Sequence, residues 1–237
     1  MRQRRVTGIE ERLAPYADLI LIGDGGKPSP LRHPATGWYE RWYQRTSPRF
    51  SSPDIYEHTY VELGCGRGKF INALAAEDPE GLYIGVEGCK TIIIRGLEKT
   101  REAGLNNVRY IDAFVNDAEA AFGEGALDGV FLNFSDPWPK ARHADRRLSA
   151  PAKTTGYYSA LKGGGFVSLK TDGEEFYKYS LAAFTAAGFI IAGAACDIKA
   201  AVPGMKVAGR AAATPTEYEL KFRALGRPIY HFTAIKK

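Results

Sequence analysis

A doubly wound α/β sheet, mostly parallel with an antiparallel closing strand, is the architecture this sequence predicts. Three observations carry that expectation. From Thr59 onward, short apolar runs of strand length alternate with segments of helical length, the pattern of a sheet covered by helices on both faces. The first apolar run ends in closely spaced glycines that open directly into a helical pattern. The chain has 237 residues, 45% hydrophobic and 25% charged, which suits one large globular domain.

Taken in order, residues 1–58 read as a basic, irregular N-terminal extension. GDGGKPSP and RHPATG are turn chemistry, and Pro28, Pro30, Pro34, Pro48 and Pro53 interrupt any long element. The domain proper is expected over 59–237. Its strands are TYVEL, LYIGVE, VRYIDA, DGVFLNF and GFVSLKT, and its helices include KFINALAAE, CKTIIIRGLEKTREAG and GEEFYKYSLAAFTAAG. The last runs, FIIAGAAC and PIYHFTAIK, read as two closing strands with no crossover helix between them, a hairpin-like end. The intervening Gly/Ala-rich stretch 199–213 reads as a loop, equally one that orders on a bound partner or plain surface. Ligands of such sheets bind at the carboxyl ends of the strands.

Composition narrows the function classes. No apolar run approaches the ~18 residues of a membrane span, and the N-terminus lacks the apolar stretch of a secretory signal. Cys65, Cys89 and Cys196 are too few for a disulfide framework and have no zinc-ligand spacing. The expectation is a cytoplasmic protein without membrane or metal. The net charge of +5 is concentrated: residues 1–50 carry nine Lys/Arg against five Asp/Glu, and residues 138–153 carry five against one. Two basic segments of this kind suit a polyanionic partner or, equally, a solvated face.

The glycine loop is Val61-Glu62-Leu63-Gly64-Cys65-Gly66-Arg67-Gly68-Lys69. A glycine turn between strand and helix lets a ligand approach the backbone, although alone it is a weak signal. Glu87 sharpens it: it ends the second strand 19 residues after Gly68, where a carboxylate can accept two ribose hydroxyls. Glu62 would repel a phosphate and attract a cation, which favours a sulfonium–amino acid cofactor over a dinucleotide.

VELGCGRGKF followed by GVE resembles class I S-adenosylmethionine-dependent methyltransferases, and the rest of the chain is similar to one family among them, the tRNA (guanine-N7-)-methyltransferases. The specific marks are Asn133-Phe134-Ser135-Asp136-Pro137-Trp138-Pro139-Lys140, then Arg142-His143 and Arg146-Arg147-Leu148. Lys170-Thr171-Asp172 and Thr216-Glu217-Tyr218-Glu219 follow in family order.

The resemblance implies a Rossmann-like fold, S-adenosyl-L-methionine as cofactor, and tRNA as the partner methylated at guanosine N7, at position 46 of the variable loop. It places the cofactor on Glu62, Gly64, Gly66, Glu87 and Asp136. After the third strand the family's acidic residue would fall on Asp112, with Asn116 as an alternative. Asp136 is also the catalytic candidate. Substrate contacts are implied for Lys140, Asp172, Thr216, Glu217, Tyr218 and Glu219, and RNA contacts for Arg142, His143, Arg146 and Arg147. Trp138 offers a flat face for a base. For Thr216 and Glu219 a capped helix start is the rival reading. Two rival functions remain at this level: an amino methyltransferase acting on another base, and a tRNA-binding protein without catalysis. Monomer and homodimer are both open.

Overall fold

The structure, a computed structural model, describes residues 7–21, 56–114, 118–197 and 204–237. A short helix α1 (Ile9–Leu13) and a 3-10 turn (Ala14–Leu19) lead into a two-residue strand β1 (Ile20–Leu21). Then follow β2 (His58–Leu63), α2 (Lys69–Ala76), β3 (Gly81–Val86), α3 (Lys90–Glu102), β4 (Val108–Ile111), α4 (Ala118–Phe122) and β5 (Leu127–Asn133). A 3-10 turn (Ala141–Arg146) precedes α5 (Pro151–Ala160), β6 (Leu161–Thr171), α6 (Glu174–Ala186) and β7 (Ile190–Cys196). The chain closes with α7 (Lys206–Ala213), α8 (Glu217–Ala224) and β8 (Tyr230–Ile235).

The eight strands form one sheet in the order β1-β4-β3-β2-β5-β6-β8-β7. Strands β1 to β6 pair in parallel, and β8 runs antiparallel to both of its neighbours. The mostly parallel sheet with one antiparallel strand is therefore as the alternating runs predicted.

Two details differ from the sequence reading. The closing strands do pair antiparallel, but α7 and α8 lie between them, and β8 inserts between β6 and β7. The alanine-rich stretch read as a loop buries Ala208, Ala211 and Ala212 along α7, since small side chains let a helix lie close to the sheet. At the other edge, residues 9–21 are not irregular: Leu13, Leu19 and Ile20 are buried with α3 residues such as Ile93 and Leu97. Most of the remaining basic extension lies outside the described residues.

Strand periodicity divides the core in two. Val61, Leu63, Ile84, Val130, Leu132, Val167 and Leu169 pack with Tyr157 of α5 and Phe184 of α6. Tyr60, Tyr83, Tyr110, Phe131 and Phe166 point the other way, onto Phe70 and Leu74 of α2, Ile93 of α3 and Ala211 of α7. With both faces covered, the central strands read as nearly continuous apolar runs, as buried parallel strands do. The polar exceptions, Glu62, Asn133, Ser168 and Lys170, therefore stand out: they sit at positions of the second face, and all are buried.

Candidate active site at the carboxyl edge of the sheet

Because β2 to β6 run parallel, Glu62, Glu87, Asp112, Asn133 and Asp172 arrive at one edge. In the glycine loop, Gly64, Gly66 and Gly68 all have positive φ (76°, 55° and 70°), a conformation that costs other residues energy. Gly64 and Cys65 donate their N–H groups to the Val86 carbonyl at 2.8 and 3.0 Å, tying the loop to β3. A Cβ added at Gly64 or Gly66 would meet no atom within 4 Å, whereas one at Gly68 would stand 2.5 Å from the Tyr110 hydroxyl and 2.8 Å from Gly96 Cα. The first two glycines thus bare their backbone to open space, and the third lets α2 pack against α3.

Glu87 closes the loop from the side. Its carboxylate accepts from Gly66 N (3.2 Å) and Cys89 N (2.9 Å). Each oxygen keeps acceptor capacity for a hydroxyl. Partial burial raises its pKa, and the Asp112 carboxylate adds to that rise.

Glu62 is 2% exposed. Asn133 donates to its Oε1 at 2.9 Å, while Oε2 is buried with no hydrogen-bond partner among the described residues. Burial lifts its pKa to about 7, against the pull of the Asn133 amide, the Lys170 ammonium and the Ile71 N–H. An orphaned carboxylate oxygen beside an open glycine cradle carries an unmet demand for a cation or donor. These residues fit a nucleoside cofactor that carries an ammonium group. Asp112, just past β4, pairs with Lys90 at 3.4 Å, and Lys90 is also bonded to Glu10. The exposed ring of Phe114 lies on Gly88, next to Glu87. Asn116 lies outside the described residues.

The loop after β5 is strained at both ends: Phe134 has φ 50° and Trp138 φ 40°, unusual for bulky side chains. The Phe134 N–H donates to the Lys170 carbonyl at 2.8 Å, and its ring stacks on Tyr218 (centroids 6.4 Å apart) and meets Phe222 (5.8 Å). At the other end, Arg147 donates from Nε to the Pro137 carbonyl (3.0 Å) and from Nη2 to the Trp138 carbonyl (3.1 Å). Its guanidinium also lies 4.2 Å from the Tyr179 ring centroid. Between these anchors Asp136 is exposed, and its carboxylate has no partner among the described residues.

Trp138 is not bare on both faces, as a free stacking platform would be. The Arg146 guanidinium lies 5.1 Å over its ring, and His143 meets it edge-on at 5.7 Å. Lys140, Arg142 and Arg146 are exposed. Arg147 is not: the side chain expected on RNA is turned onto the loop's own carbonyls.

The Thr216–Glu219 block divides sharply. Thr216 caps α8, its hydroxyl accepting from Glu219 N at 2.9 Å, the Thr-x-x-Glu arrangement of a helix start. Glu219 is 2% exposed and faces inward. It accepts from Lys170 Nζ and from Arg223, each at 2.9 Å. Lys170, fully buried, spends a further donor on the Thr214 carbonyl at 2.7 Å. Glu217 pairs with Lys99 at 2.8 Å, and Tyr218 is 60% exposed. Asp172 pairs with Arg227 at 3.2 Å. Glu219, expected to read the substrate, thus has both carboxylate oxygens bonded to cations of this chain. Two polar residues given no role in the sequence reading line the same edge, Asn133 on Glu62 and Lys170 on Glu219. Their signal was a polar side chain interrupting the apolar strands VFLNF and FVSLKT.

Among the described residues, no group of His, Cys, Asp and Glu has metal-site geometry, and no helix is long and apolar enough to cross a membrane. A family described as "Putative methyltransferase" matches residues 56–232. The tRNA (guanine-N(7)-)-methyltransferase of Geobacillus kaustophilus is 37% identical over 177 residues, covering 75% of this chain and 78% of its own. The enzyme of the same name from Geobacillus sp. strain WCH70 is 32% identical over 230 residues, covering 97% and 93%. Among solved structures, the 16S rRNA methyltransferase KamB superposes with a TM-score of 0.57 at 15% identity, covering 77% of this chain and 89% of that one. That likeness establishes a Rossmann-like methyltransferase fold. The glycine cradle, the buried Glu62 and the loop of Asp136 all fall within the matched residues 56–232, and the chain belongs to the tRNA (guanine-N(7)-)-methyltransferase family.

Proposed function

We propose that this protein transfers the methyl group of S-adenosylmethionine to N7 of a guanosine in tRNA, in the cytoplasm. One observation carries the reading. The adjacent strands β2 and β5 bring an orphaned buried carboxylate, Glu62, and an exposed unpartnered one, Asp136, to the same sheet edge. The cofactor supplies, when bound, an electrophilic methyl on a sulfonium centre. Glu62 satisfies its free oxygen on the amino-acid ammonium, Gly64 and Gly66 let the ligand lie against the backbone, and Glu87 accepts the ribose hydroxyls. Asp112 faces the adenosine end.

Guanine N7 presents a lone pair and no proton, so this chain need not supply a base. Its work is alignment and charge: holding N7 in line can supply roughly 7–11 kcal/mol. Asp136 stabilises the positive charge that grows on the purine. Lys140, Asp172 and Tyr218 rim the base site, with Thr216 and Glu217 at the helix start beside it. Arg142, His143 and Arg146 take the phosphates. Position 46 is the site that the family implies.

The test is chemical cleavage at N7-methylguanosine in tRNA incubated with cofactor and enzyme. Wild-type protein should yield one cleavage site, and Asp136→Ala should lower the single-turnover rate roughly 10²–10³-fold with tRNA affinity nearly unchanged. A rate within threefold of wild type would make Asp136 a turn residue. Methyl transfer to an exocyclic amine, or no detectable cofactor binding by calorimetry, would favour the rival functions.

A further inference from the structure

We propose that Arg147 is a positioning residue for the transfer, a clamp that holds the Phe134–Trp138 loop in its strained form, and not a contact to RNA phosphate. The proposal rests on the reading of Asp136 as the group that meets the purine. Three features of the geometry support it.

First, the guanidinium is already spent. Nε and Nη2 bond the carbonyls of Pro137 and Trp138, at 3.0 and 3.1 Å, and the plane rests 4.2 Å from the Tyr179 ring centroid on α6. Only the planar fork of arginine bridges two successive carbonyls while stacking on a ring. Second, what it holds needs holding. A tryptophan at φ 40° stores backbone strain, and neighbouring structure must over-determine such a conformation for it to persist. Two bonds to the carbonyls on either side of the Trp138 N–H do so. Third, the other end of the loop is held independently. Phe134 is fastened by the Lys170 carbonyl and by the rings of Tyr218 and Phe222 on α8. With both ends tied to different helices, Asp136 is left at mid-span, exposed and aimed without touching either anchor. Its neighbours Arg142 and Arg146 are exposed and remain available to phosphate.

Lysine separates the two roles. A phosphate is satisfied by a point charge, whereas a lysine cannot reproduce the fork. Under the clamp, Arg147→Lys behaves like Arg147→Ala. Both lower kcat, on the order of 10²-fold for a displacement near 1 Å, with KM for tRNA and the salt dependence of tRNA binding unchanged. In the Asp136→Ala background, Arg147→Ala adds little further loss, because residues acting as a unit are not additive. The comparison variant Arg142→Ala/Arg146→Ala does the opposite: it lowers the slope of log affinity against log salt by about 0.7–0.9 per contact.

Recovery of wild-type turnover by Arg147→Lys would overturn the clamp. So would a salt slope that falls by one contact in Arg147→Ala, or a loss fully additive with Asp136→Ala. Failure of the functional reading is distinct: Asp136→Ala would itself keep wild-type turnover.

Discussion

The two halves of the site are built on opposite principles. On the β2–β3 side, the glycine loop and Glu87 present bare backbone and spare acceptors, and Glu62 leaves an oxygen unmet. On the β5–β6 side Glu219, Arg147 and Asp172 are all bonded to groups of this chain. Glu219 is paired with Lys170 and Arg223, Asp172 with Arg227, and Arg147 donates to two carbonyls. The first half offers backbone and acceptors to a ligand, and the second is scaffolding that holds Asp136 exposed, with no partner on its carboxylate among the described residues. A cofactor pocket can be preformed from backbone. In the proposed function, a base site that must admit a nucleotide from a large RNA instead needs a loop held stiffly in the open, and the contacts of Phe134 and Arg147 hold it.

If that contrast is right, the largest effect belongs to the scaffold. Lys170→Met strips the buried Glu219 Oε2 of its ammonium and leaves only Arg223 on Oε1; it should cost up to about 3–5 kcal/mol of stability, read as a fall in urea midpoint. Lys170→Met with Glu219→Leu should recover most of that loss, because an apolar pair needs no compensation. A single variant as stable as wild type would mean that water reaches Glu219.

Next come the glycines, which should split. Gly68→Ala meets Tyr110 and Gly96, and overpacking of this kind costs about 1–3 kcal/mol in addition to the positive-φ penalty of about 1–2 kcal/mol. Gly66→Ala carries only the backbone penalty and leaves the fold intact. Gly66→Val should in addition abolish cofactor binding by filling the cradle. Equal losses of stability at Gly66 and Gly68 would erase the distinction between receptor and packing glycine.

Glu62 links the receptor to pH. Its folded pKa, about 7, lies above the ordinary carboxylate value, so between pH 5 and 7 the folded state binds more protons than the unfolded one. The contribution of Glu62 to stability is therefore present at low pH and lost as pH rises through 7. If, as proposed, the charged Glu62 meets the cofactor's ammonium, cofactor binding should run the other way, strengthening by up to about tenfold per pH unit as pH rises to 7 and then levelling off. Isothermal titration at pH 5.5, 6.5 and 7.5 reads it, and Glu62→Gln should flatten the profile while weakening binding.

Smallest is the cap. Thr216→Ala removes the hydroxyl that receives Glu219 N and should cost about 1 kcal/mol, with turnover nearly unchanged if Thr216 only starts α8. A large fall in kcat at unchanged stability would return the hydroxyl to the substrate site.

How far the chain could be read before folding follows from what each signal depends on. The alternation of apolar runs, the glycine triplet and the strand-ending Glu87 are local: strand period, positive φ and chain direction are set by residues within a few positions of one another. They specified the parallel sheet, the open loop and the edge on which the carboxylates gather. The motif Asn133–Lys140 likewise marked the loop of Asp136. What local pattern could not convey is which polar side chain stays free. Thr216-x-x-Glu219 looks the same whether Glu219 faces solvent or Lys170, and Arg146 and Arg147 are neighbours in a basic run. Only the packing of α8 on β6 and of Tyr179 on the loop turns one of each pair inward, because burying a charge is tolerable only where another element already supplies its partner. The insertion of β8 between β6 and β7 belongs to the same class, a long-range pairing that leaves no trace in either strand alone.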